Sequence, residues 1–517
     1  MSLLGIDIGG SGCKAIAYSK EGKRLAKSSR SYSYILKKEH ESEFDLKEIW
    51  EKVRLVIKEA SQKVKKIGDP IEALCFSVFG EASILVDKDL NPLTDVFTSF
   101  DQRGYEFMDK IATDINPVEM YSKTGQPLDF LYPPIRLMWL KKYKKDLYEK
   151  ASKFLGVQEY FLLKLGGEPI TEPSLACRYL IFDINKKDWV EEYLEYFDMK
   201  KESFLPVIGK AGDIAGTISK KMASELGLAN NVKLIVGGFD QSMSSLGAGL
   251  LFEDISTIST GTVEAMCFVK KNIDLDKELY EHYFPFCNHA YGDLLFVNGY
   301  TYSGGSVLKW FLQEIATDSF SNNTAKDVYE EVLKRMPDRP SVLETIPTFT
   351  GSQTFIRDPK LKGIILGLSL TTDKNEILKS LLEGTCFYLK QNYEYLSKKL
   401  DFTVKKFNAM GGGAQSPQWL QMKADILNTK INTISEEDTG CIAAAILAGI
   451  GTGIFENFDD TIKNFIKVED EYLPRDNYVE FYSKKYNLYK NLQDKLIDSQ
   501  HELYQINSDL YENKFNK

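Results

Sequence analysis

Short apolar segments separated by polar, glycine-containing turns over residues 3–34 predict three short β-strands joined by tight turns. LGIDIG is followed by CKAIAYS, and a turn at Glu21-Gly22 leads into a third extended segment. A similar pattern recurs near residue 255, where ISTIST, VEAMCFV and LLFVNG are separated by turns at Gly261-Thr262 and Tyr291-Gly292-Asp293. Two similar hairpins about half a chain apart predict a duplicated α/β fold.

The segments that follow each hairpin have helical or strand-like spacing. After the first hairpin we predict helices at 45–66 and 135–150 and a strand at 232–237. After the second hairpin we predict helices at 306–315 and 374–398, a strand at 404–410 and a helix that begins at Ser416-Pro417. Apolar residues at helical spacing after residue 475 predict a packed tail helix with a structural role: Tyr482, Tyr486, Tyr489, Leu496 and Leu503.

The two sets of elements predict an amino-terminal domain over 1–248 and a carboxy-terminal domain over 249–517. No low-complexity linker separates them, so we expect a hinge near 245–253.

Composition excludes several classes of function. A formal net charge of -9 over 517 residues argues against nucleic-acid binding. No apolar run approaches the ~18 residues that a membrane span needs, and no signal-peptide pattern opens the sequence. The seven cysteines contain no CxxC pair, which favours a reducing cytoplasm, and the four histidines show no metal-ligand spacing. Carboxylates are therefore the first candidates for a catalytic base.

Three glycine-rich turns could hold a nucleotide. Asp7-Ile8-Gly9-Gly10-Ser11-Gly12-Cys13-Lys14 combines open backbone amides with a carboxylate suited to Mg²⁺ and a cation, so Asp7, Gly10, Ser11 and Lys14 are candidates for phosphate and metal binding. Ser259-Thr260-Gly261-Thr262 is a comparable turn in the second half of the chain. Gly411-Gly412-Gly413-Ala414, between a strand and a helix, could let adenosine lie against the backbone at Gly412 and Gly413. Each of these turns can also be read as an ordinary tight turn without a ligand.

Asp240 is the candidate general base. It follows the strand that ends in Gly237-Gly238, and a carboxylate there could accept the proton of a hydroxyl that attacks a phosphoryl group. The alternative is a helix N-cap, and the spacing alone leaves both readings open.

Four residues are candidates for binding substrate hydroxyl groups. Glu81, Asp101 and Arg103 could make bidentate hydrogen bonds if they face a cleft, and on a solvated face they would have no such role. Gln241, next to Asp240, is the fourth candidate.

Taken in order, these segments resemble the FGGY family of carbohydrate kinases from residue 3 to about 455. The resemblance rests on DIGGSGCK, TGQPLDFLYPPIRLMWL, GGFDQSMSSLGAG, STGT, SGGSVLKWF, GIILGLSLTTDKNEILKSLLEG, MGGGAQSPQWLQMKADIL and TGCIAAAILAGIGTG. It implies two ribonuclease-H-like domains of the actin, hexokinase and Hsp70 superfamily with a cleft between them. It also implies ATP and Mg²⁺ as cofactors, Asp240 as the base, Asp7 near the metal, and Gly10, Ser11, Thr262, Gly305 and Gly413 around the nucleotide.

The same resemblance implies a small sugar as substrate and is consistent with a homodimer. Xylulose kinases usually have Met-His where this chain has Gly80-Glu81, and many members have tryptophan where Ser99 stands. Glycerol kinases share a glutamate at Glu81 but prefer arginine before it and a tyrosine near Leu131. By family frequency we expect a ketopentose such as xylulose. The alternatives are a sugar acid such as gluconate, another polyol, and an actin- or Hsp70-like ATPase without a sugar substrate.

Overall fold

The computed structural model describes residues 1–199, 204–316 and 325–514. Strands and helices of the first half are β1 (Ser2–Gly9), β2 (Gly12–Ser19), β3 (Arg24–Ser31), β4 (Ile35–Lys38), β5 (Glu41–Phe44), α1 (Leu46–Lys66), β6 (Ile71–Val78), β7 (Ile84–Val86), β8 (Val96–Phe97), α2 (Met108–Asp114), α3 (Pro117–Thr124), α4 (Pro133–Tyr143), α5 (Lys145–Lys150), β9 (Lys153–Leu155), α6 (Val157–Leu165), β10 (Ile170–Thr171), α7 (Pro173–Ala176), β11 (Phe182–Asp183), β12 (Asp188–Trp189), α8 (Glu191–Tyr196), β13 (Val207–Ile208), β14 (Ile214–Thr217), α9 (Lys220–Leu226), β15 (Lys233–Phe239) and α10 (Asp240–Gly247).

The second half follows the same alternation of hairpins and helices. Its elements are β16 (Ile255–Thr260), β17 (Glu264–Lys270), α11 (Lys277–Glu281), β18 (Phe286–Asn288), β19 (Leu295–Thr301), α12 (Gly305–Glu314), α13 (Ala325–Lys334), β20 (Glu344–Ile346), β21 (Ile364–Leu366), α14 (Lys374–Leu400), β22 (Lys406–Met410), α15 (Pro417–Leu427), β23 (Lys430–Ile434), α16 (Thr439–Gly451), α17 (Phe458–Phe465), β24 (Val468–Tyr472) and α18 (Asp476–Lys514).

The two main sheets have corresponding strand orders, which confirms the predicted duplication. In the first sheet the strand order is β14-β15-β6-β1-β2-β3, and in the second it is β18-β19-β17-β16-β22-β23-β24. Each contains an antiparallel three-stranded meander, two parallel strands beyond it and an antiparallel edge strand, with β18 added to the second. Because β1, β6 and β15 run parallel, their carboxyl ends meet at one edge of the first sheet. The ends of β16, β22 and β23 likewise meet at one edge of the second sheet.

Helix α16 of the second half packs against the first sheet. Its residues from Thr439 to Gly449 are buried, and they share an apolar cluster with Leu3, Ile16 and Met243 of the first half. Close approach is possible because Gly5 and Gly247 lack side chains: a Cβ at either residue would lie 1.9 Å from a carbonyl oxygen of α16. The contact holds the two edges described above next to each other.

The predicted elements differ from the observed ones in one instructive place. The helix expected over 135–150 is two helices, α4 and α5, separated at Lys144, whose backbone angles (φ -133°, ψ 46°) lie outside the helical region. Lys141, Lys142, Lys144 and Lys145 fall within five residues, and their mutual repulsion disfavours a continuous helix. The tail helix begins at Asp476 and packs Tyr482, Tyr486 and Tyr489 into the core of the second half.

Among the described residues, no helix combines the length and the apolar character that a membrane span requires.

Candidate active site

Asp7 and Asp240 lie at the same edge of the first sheet. In register, Asp7 of β1 is paired with Ser77 of β6, and Ser77 is paired with Gly238 of β15, two residues before Asp240. Ser77 Oγ donates to Asp7 Oδ1 at 2.8 Å. The three chain segments thus bring two carboxylates to the same edge of the sheet.

Asp240 is the first residue of α10 and does not cap it. The N-cap is Phe239, whose side chain makes no capping hydrogen bond. Burial, reinforced by the negative charges of Asp7 and Glu81, raises the pKa of Asp240 to about 8. Asp240 is therefore not the N-cap of α10, and its buried carboxylate stays a candidate proton acceptor.

The strand before Asp240 is held by two hydrogen bonds that sequence reasoning did not identify. Ser174 Oγ accepts from the Phe239 backbone N–H at 3.0 Å, and Gln158 Oε1 accepts from the Gly237 N–H at 2.9 Å. Ser174 is in turn bonded to the buried Glu172. These contacts fix the backbone from which the Asp240 side chain projects.

Asp7 has the chemistry of a magnesium ligand. Burial raises its pKa, while the hydrogen bond from Ser77 and the charge of Lys14 oppose that effect. Mg²⁺ in phosphate-binding sites needs only one or two protein carboxylates because water and phosphate supply the remaining oxygen ligands. The described residues contain no cluster of three or more metal-binding side chains, so a site at Asp7 would depend on such shared ligands.

The turn between β1 and β2 presents open backbone at Gly10. Gly10 and Ser11 are exposed, and a Cβ built on Gly10 would meet no atom within 4 Å. The turn is supported by Tyr32, whose hydroxyl donates to the Gly9 carbonyl oxygen at 2.6 Å. Lys14 lies on the following strand and forms an ion pair with Asp438 of the second half at 2.9 Å.

A cavity of about 980 Å³ opens at the corresponding edge of the second sheet. Its wall includes Thr262, Gly305, Gly412 and Gly413, the four residues of the second half predicted to contact the nucleotide. Apolar and aromatic side chains line part of the remainder, among them Leu308, Trp310, Tyr329, Leu333 and Trp419, together with polar and charged residues such as Lys309 and Glu330. Such a slot, bounded by glycine turns at one end, fits a flat base and its attached phosphates.

The predicted residues of the first half do not line this cavity, but neighbouring contacts join the two edges. Gly440, at the start of α16, approaches Asp7 so closely that a Cβ there would lie 2.9 Å from the Asp7 carboxylate. Thr439 contacts Met410, the last residue before the Gly411–Gly413 turn. The carboxylate edge and the cavity are thus two sides of one cleft.

Glu81 belongs to a polar cluster near Asp240. Its carboxylate pairs with Arg178, and Arg178 Nη1 donates to Gln126 Oε1 at 2.7 Å. Neither residue was identified from the sequence as part of the site, because Arg178 lies outside the quoted motifs and the segment TGQPLDFLYPPIRLMWL does not reveal the partner of Gln126. Gln241 is half-buried beside Asp240 on α10.

Asp101 and Arg103 form an ion pair with each other. Arg103 Nε and Nη2 donate to Asp101 at 2.6 to 3.0 Å, and Arg103 Nη1 pairs with Glu43 at 2.7 Å. Asp101 is 0% exposed and also accepts a backbone hydrogen bond from Ser42 at 2.8 Å. The structure brings these two predicted residues into a buried ion-pair network and leaves their polar groups occupied within the protein.

A polar cluster that joins the two lobes was also missed. Asp129 of the first half pairs with Arg357 of the second at 2.8 Å and accepts a hydrogen bond from Tyr283. The Arg357 guanidinium lies 3.7 Å from the centroid of the Tyr283 ring. Tyr302 lies within electrostatic range of both Asp129 and Glu81, which links the two clusters.

Family models match most of the chain: the N-terminal domain of the FGGY family of carbohydrate kinases over residues 2–247, and the C-terminal domain of that family over 257–452. The chain belongs to the FGGY family of carbohydrate kinases. Members of the family are phosphotransferases with an alcohol group as acceptor, so the protein is a sugar kinase. The two-domain fold with an actin- and hexokinase-like architecture, expected from the sequence, is confirmed.

Curated relatives include more than one sugar specificity. A xylulose kinase of Staphylococcus xylosus is 26% identical over 497 residues, covering 95% of this chain and 99% of the relative. A gluconokinase of Bacillus subtilis is 25% identical over 505 residues, covering 96% of this chain and 96% of the relative.

Similar solved structures include the same two kinds of kinase. A ligand-bound xylulose kinase from Lactobacillus acidophilus has a TM-score of 0.87, 26% identity and coverage of 97% of this chain and 99% of that one. A gluconate kinase from the same organism has a TM-score of 0.86, 25% identity and the same coverage.

Proposed function

We propose that this FGGY kinase transfers the γ-phosphoryl group of ATP to a hydroxyl group of a small neutral sugar, a ketopentose such as xylulose. The observation that carries the proposal is the position of Asp240, a carboxylate with a raised pKa at the cleft edge opposite a nucleotide-sized cavity. Phosphoryl transfer needs mainly alignment and charge stabilisation, and a base of this kind accepts the proton of the attacking hydroxyl.

In this proposal the two lobes divide the binding tasks. Thr262, Gly305, Gly412 and Gly413 hold the nucleotide in the cavity. The Gly10-Ser11 turn and Lys14 face its phosphates from the first lobe. Asp7 holds Mg²⁺, which would neutralise charge on the phosphate oxygens. Glu81 and Gln241 bind sugar hydroxyls beside Asp240.

The proposed reaction is a single displacement at the γ-phosphorus of ATP. The sugar hydroxyl gives its proton to the Asp240 carboxylate as its oxygen forms a bond to the γ-phosphorus, and the bond from that phosphorus to the bridging oxygen breaks to release ADP. Closure of the cleft around the sugar would exclude water and so limit hydrolysis of ATP.

The charge of the sugar side favours a neutral acceptor. Arg178 is paired with Glu81, and Arg357 with Asp129, so each of these cations already has a carboxylate partner. With Asp240 ionised for catalysis, the cluster carries more negative than positive charge. A carboxylate on the substrate would meet this field without a free cation to balance it. Asp101 and Arg103 support the site from behind as a buried pair in this proposal.

A coupled assay of ADP release over a panel of sugars tests the proposal. We expect turnover with neutral ketopentoses, at least ten times weaker kcat/KM with gluconate and other sugar acids, and little ADP without a sugar. A higher kcat/KM for a sugar acid would contradict the acceptor class. ADP release that is independent of every sugar would contradict kinase action altogether and favour an ATPase.

A further inference from the structure

A buried ion pair lies directly behind the wall of the nucleotide cavity. Lys423 of α15 contacts Glu264 of β17, and their side chains are only 1% and 0% exposed. Neither residue lines the cavity.

Lys423 contacts two residues that do line it. Its Nζ donates to Thr260 Oγ1, at the end of β16 and immediately before the Gly261-Thr262 turn. The ammonium group also lies 4.7 Å from the ring centroid of Trp419. Both Thr260 and Trp419 belong to the cavity wall.

Thr260 in turn packs against the Gly411–Gly413 turn. A Cβ built on Gly413 would lie 2.1 Å from Thr260 Cγ2 and 3.2 Å from the Trp419 ring, so these side chains pack directly against the glycine backbone. A small rotation of Thr260 would therefore alter the surface offered by the Gly411–Gly413 turn.

A contribution to folding stability does not by itself explain why the Lys423–Glu264 ion pair is present. Replacing a buried ion pair with apolar residues of similar volume is often neutral or stabilising, because desolvating two charges is costly. Here Glu264 also has one carboxylate oxygen, Oε2, that is buried without a hydrogen-bond partner among the described residues. The arrangement instead fixes one rotamer of Thr260 and one orientation of Trp419.

We propose that Lys423, held by Glu264, is a positioning residue for the nucleotide: it fixes Thr260 and Trp419 so that the cavity is already shaped before ADP or ATP binds. This inference rests on the proposed function, because it takes the cavity to be the nucleotide site. Preorganised walls reduce the ordering cost of binding, so the effect falls on nucleotide affinity and spares the sugar side.

The experiment compares full-length variants by calorimetric titration with ADP, by steady-state kinetics and by thermal unfolding. Lys423→Met removes the donor to Thr260 and leaves Glu264 as a buried charge without a cation, with the Thr260 hydroxyl donating to it at 3.3 Å. The double variant K423M/E264M removes both charges, so it separates loss of positioning from loss of stability. Lys390→Met is the matched control: Lys390 is another buried lysine of the second lobe, and it donates to the Ile426 carbonyl at 2.7 Å, at the far end of α15.

We expect the ADP Kd to rise about tenfold or more in both Lys423 variants, with the KM of the sugar unchanged within about twofold. The unfolding midpoint should fall in K423M and recover in K423M/E264M, whereas K390M should lose stability without a change in ADP affinity. The inference is overturned if K423M/E264M binds ADP like the wild type, if the sugar KM rises in parallel, or if K390M weakens ADP equally. A wild-type protein that does not bind ADP in this cavity would overturn the proposed function itself, and the inference with it.

Discussion

Asp240 combines a position at the start of a helix with a carboxylate that resists ionisation. Burial and the charges of Asp7 and Glu81 hold its pKa at about 8, well above the ordinary value of 3.8. A base with such a pKa is only partly ionised at neutral pH but is a stronger proton acceptor once ionised. The cost of burying the charge is therefore linked directly to the chemistry that we propose.

This raised pKa predicts a rising pH–rate profile. The base must be deprotonated, so kcat/KM for the sugar should increase about tenfold per pH unit below pH 8 and level off above it. The profile should be measured under conditions in which ATP is saturating. A profile that is flat between pH 6 and about 8.5 would contradict the role of Asp240 as the titrating base.

The raised pKa of Asp240 also predicts that this carboxyl group makes the folded protein less stable at high pH, where the proposed activity is greatest. A carboxyl group whose pKa is raised on folding contributes stability at low pH that is lost as pH rises from the unfolded value of 3.8 to the folded value of about 8. Asp240→Asn should therefore unfold at a higher temperature than the wild type at pH 8.5, and at the same temperature near pH 4. Thermal unfolding at both pH values provides the comparison, and a lower midpoint for the variant at pH 8.5 would refute it.

At the scale of elements, the candidate site lies where the parallel strands of each sheet end. The turn after β1 and the start of α10 face the cleft from the first lobe, and the turns after β16 and β22 face it from the second. Gly412 is the most open of the cavity glycines, because a Cβ there would meet no atom within 4 Å and its backbone is not left-handed. A side chain at this position would enter the cavity without straining the fold.

A graded series at Gly412 tests that geometry. Gly412→Ala should weaken ADP binding slightly, whereas Gly412→Leu should raise the ADP Kd about tenfold or more while leaving the unfolding midpoint within about 2 °C of the wild type. Titration with ADP and thermal unfolding measure the two effects. Unchanged ADP affinity in Gly412→Leu would place the nucleotide elsewhere.

The sequence predicted elements better than it predicted side-chain partners. Strands that flank glycine turns, and the helix opened by Ser416 and Pro417, were identified because their local signals are strong and the structure satisfies them locally. The clusters around Arg178 and Arg357 were missed because they join residues far apart in sequence, 97 positions in the case of Glu81 and Arg178. Asp101 and Arg103 show the converse: adjacent charges suggested a binding surface, but folding pairs them with each other.

At the scale of the whole molecule, the lobes are joined by contacts that also surround the cleft. Lys14 reaches Asp438 across the lobes at 2.9 Å, and Asp129 reaches Arg357 at 2.8 Å on the sugar side. Arg357 is 42% exposed, so its guanidinium remains accessible while it balances the nearly buried Asp129. In the proposed function, this ion pair connects the lobe assigned to the nucleotide with the side of the cleft assigned to the sugar.

Removing that cross-lobe pair should affect sugar binding selectively. Arg357→Met leaves the Asp129 carboxylate uncompensated, so we expect the KM of the sugar to rise about five- to twentyfold, with the ADP Kd unchanged. Asp129→Asn in the same background should recover part of the loss. The control is Arg339→Met, which breaks an ion pair with Glu376 at 2.9 Å and should not change the sugar KM. An equal effect of the two arginine variants would contradict a specific role for Arg357.

The central claim is that a base from the first lobe and a nucleotide held by the second act on the same phosphoryl group. It is tested most directly by measuring sugar-dependent ADP formation and ADP affinity together in Asp240→Asn. We predict that turnover falls by about two to four orders of magnitude, while the ADP Kd stays within about twofold of the wild type. Near-normal turnover in that variant would contradict the account.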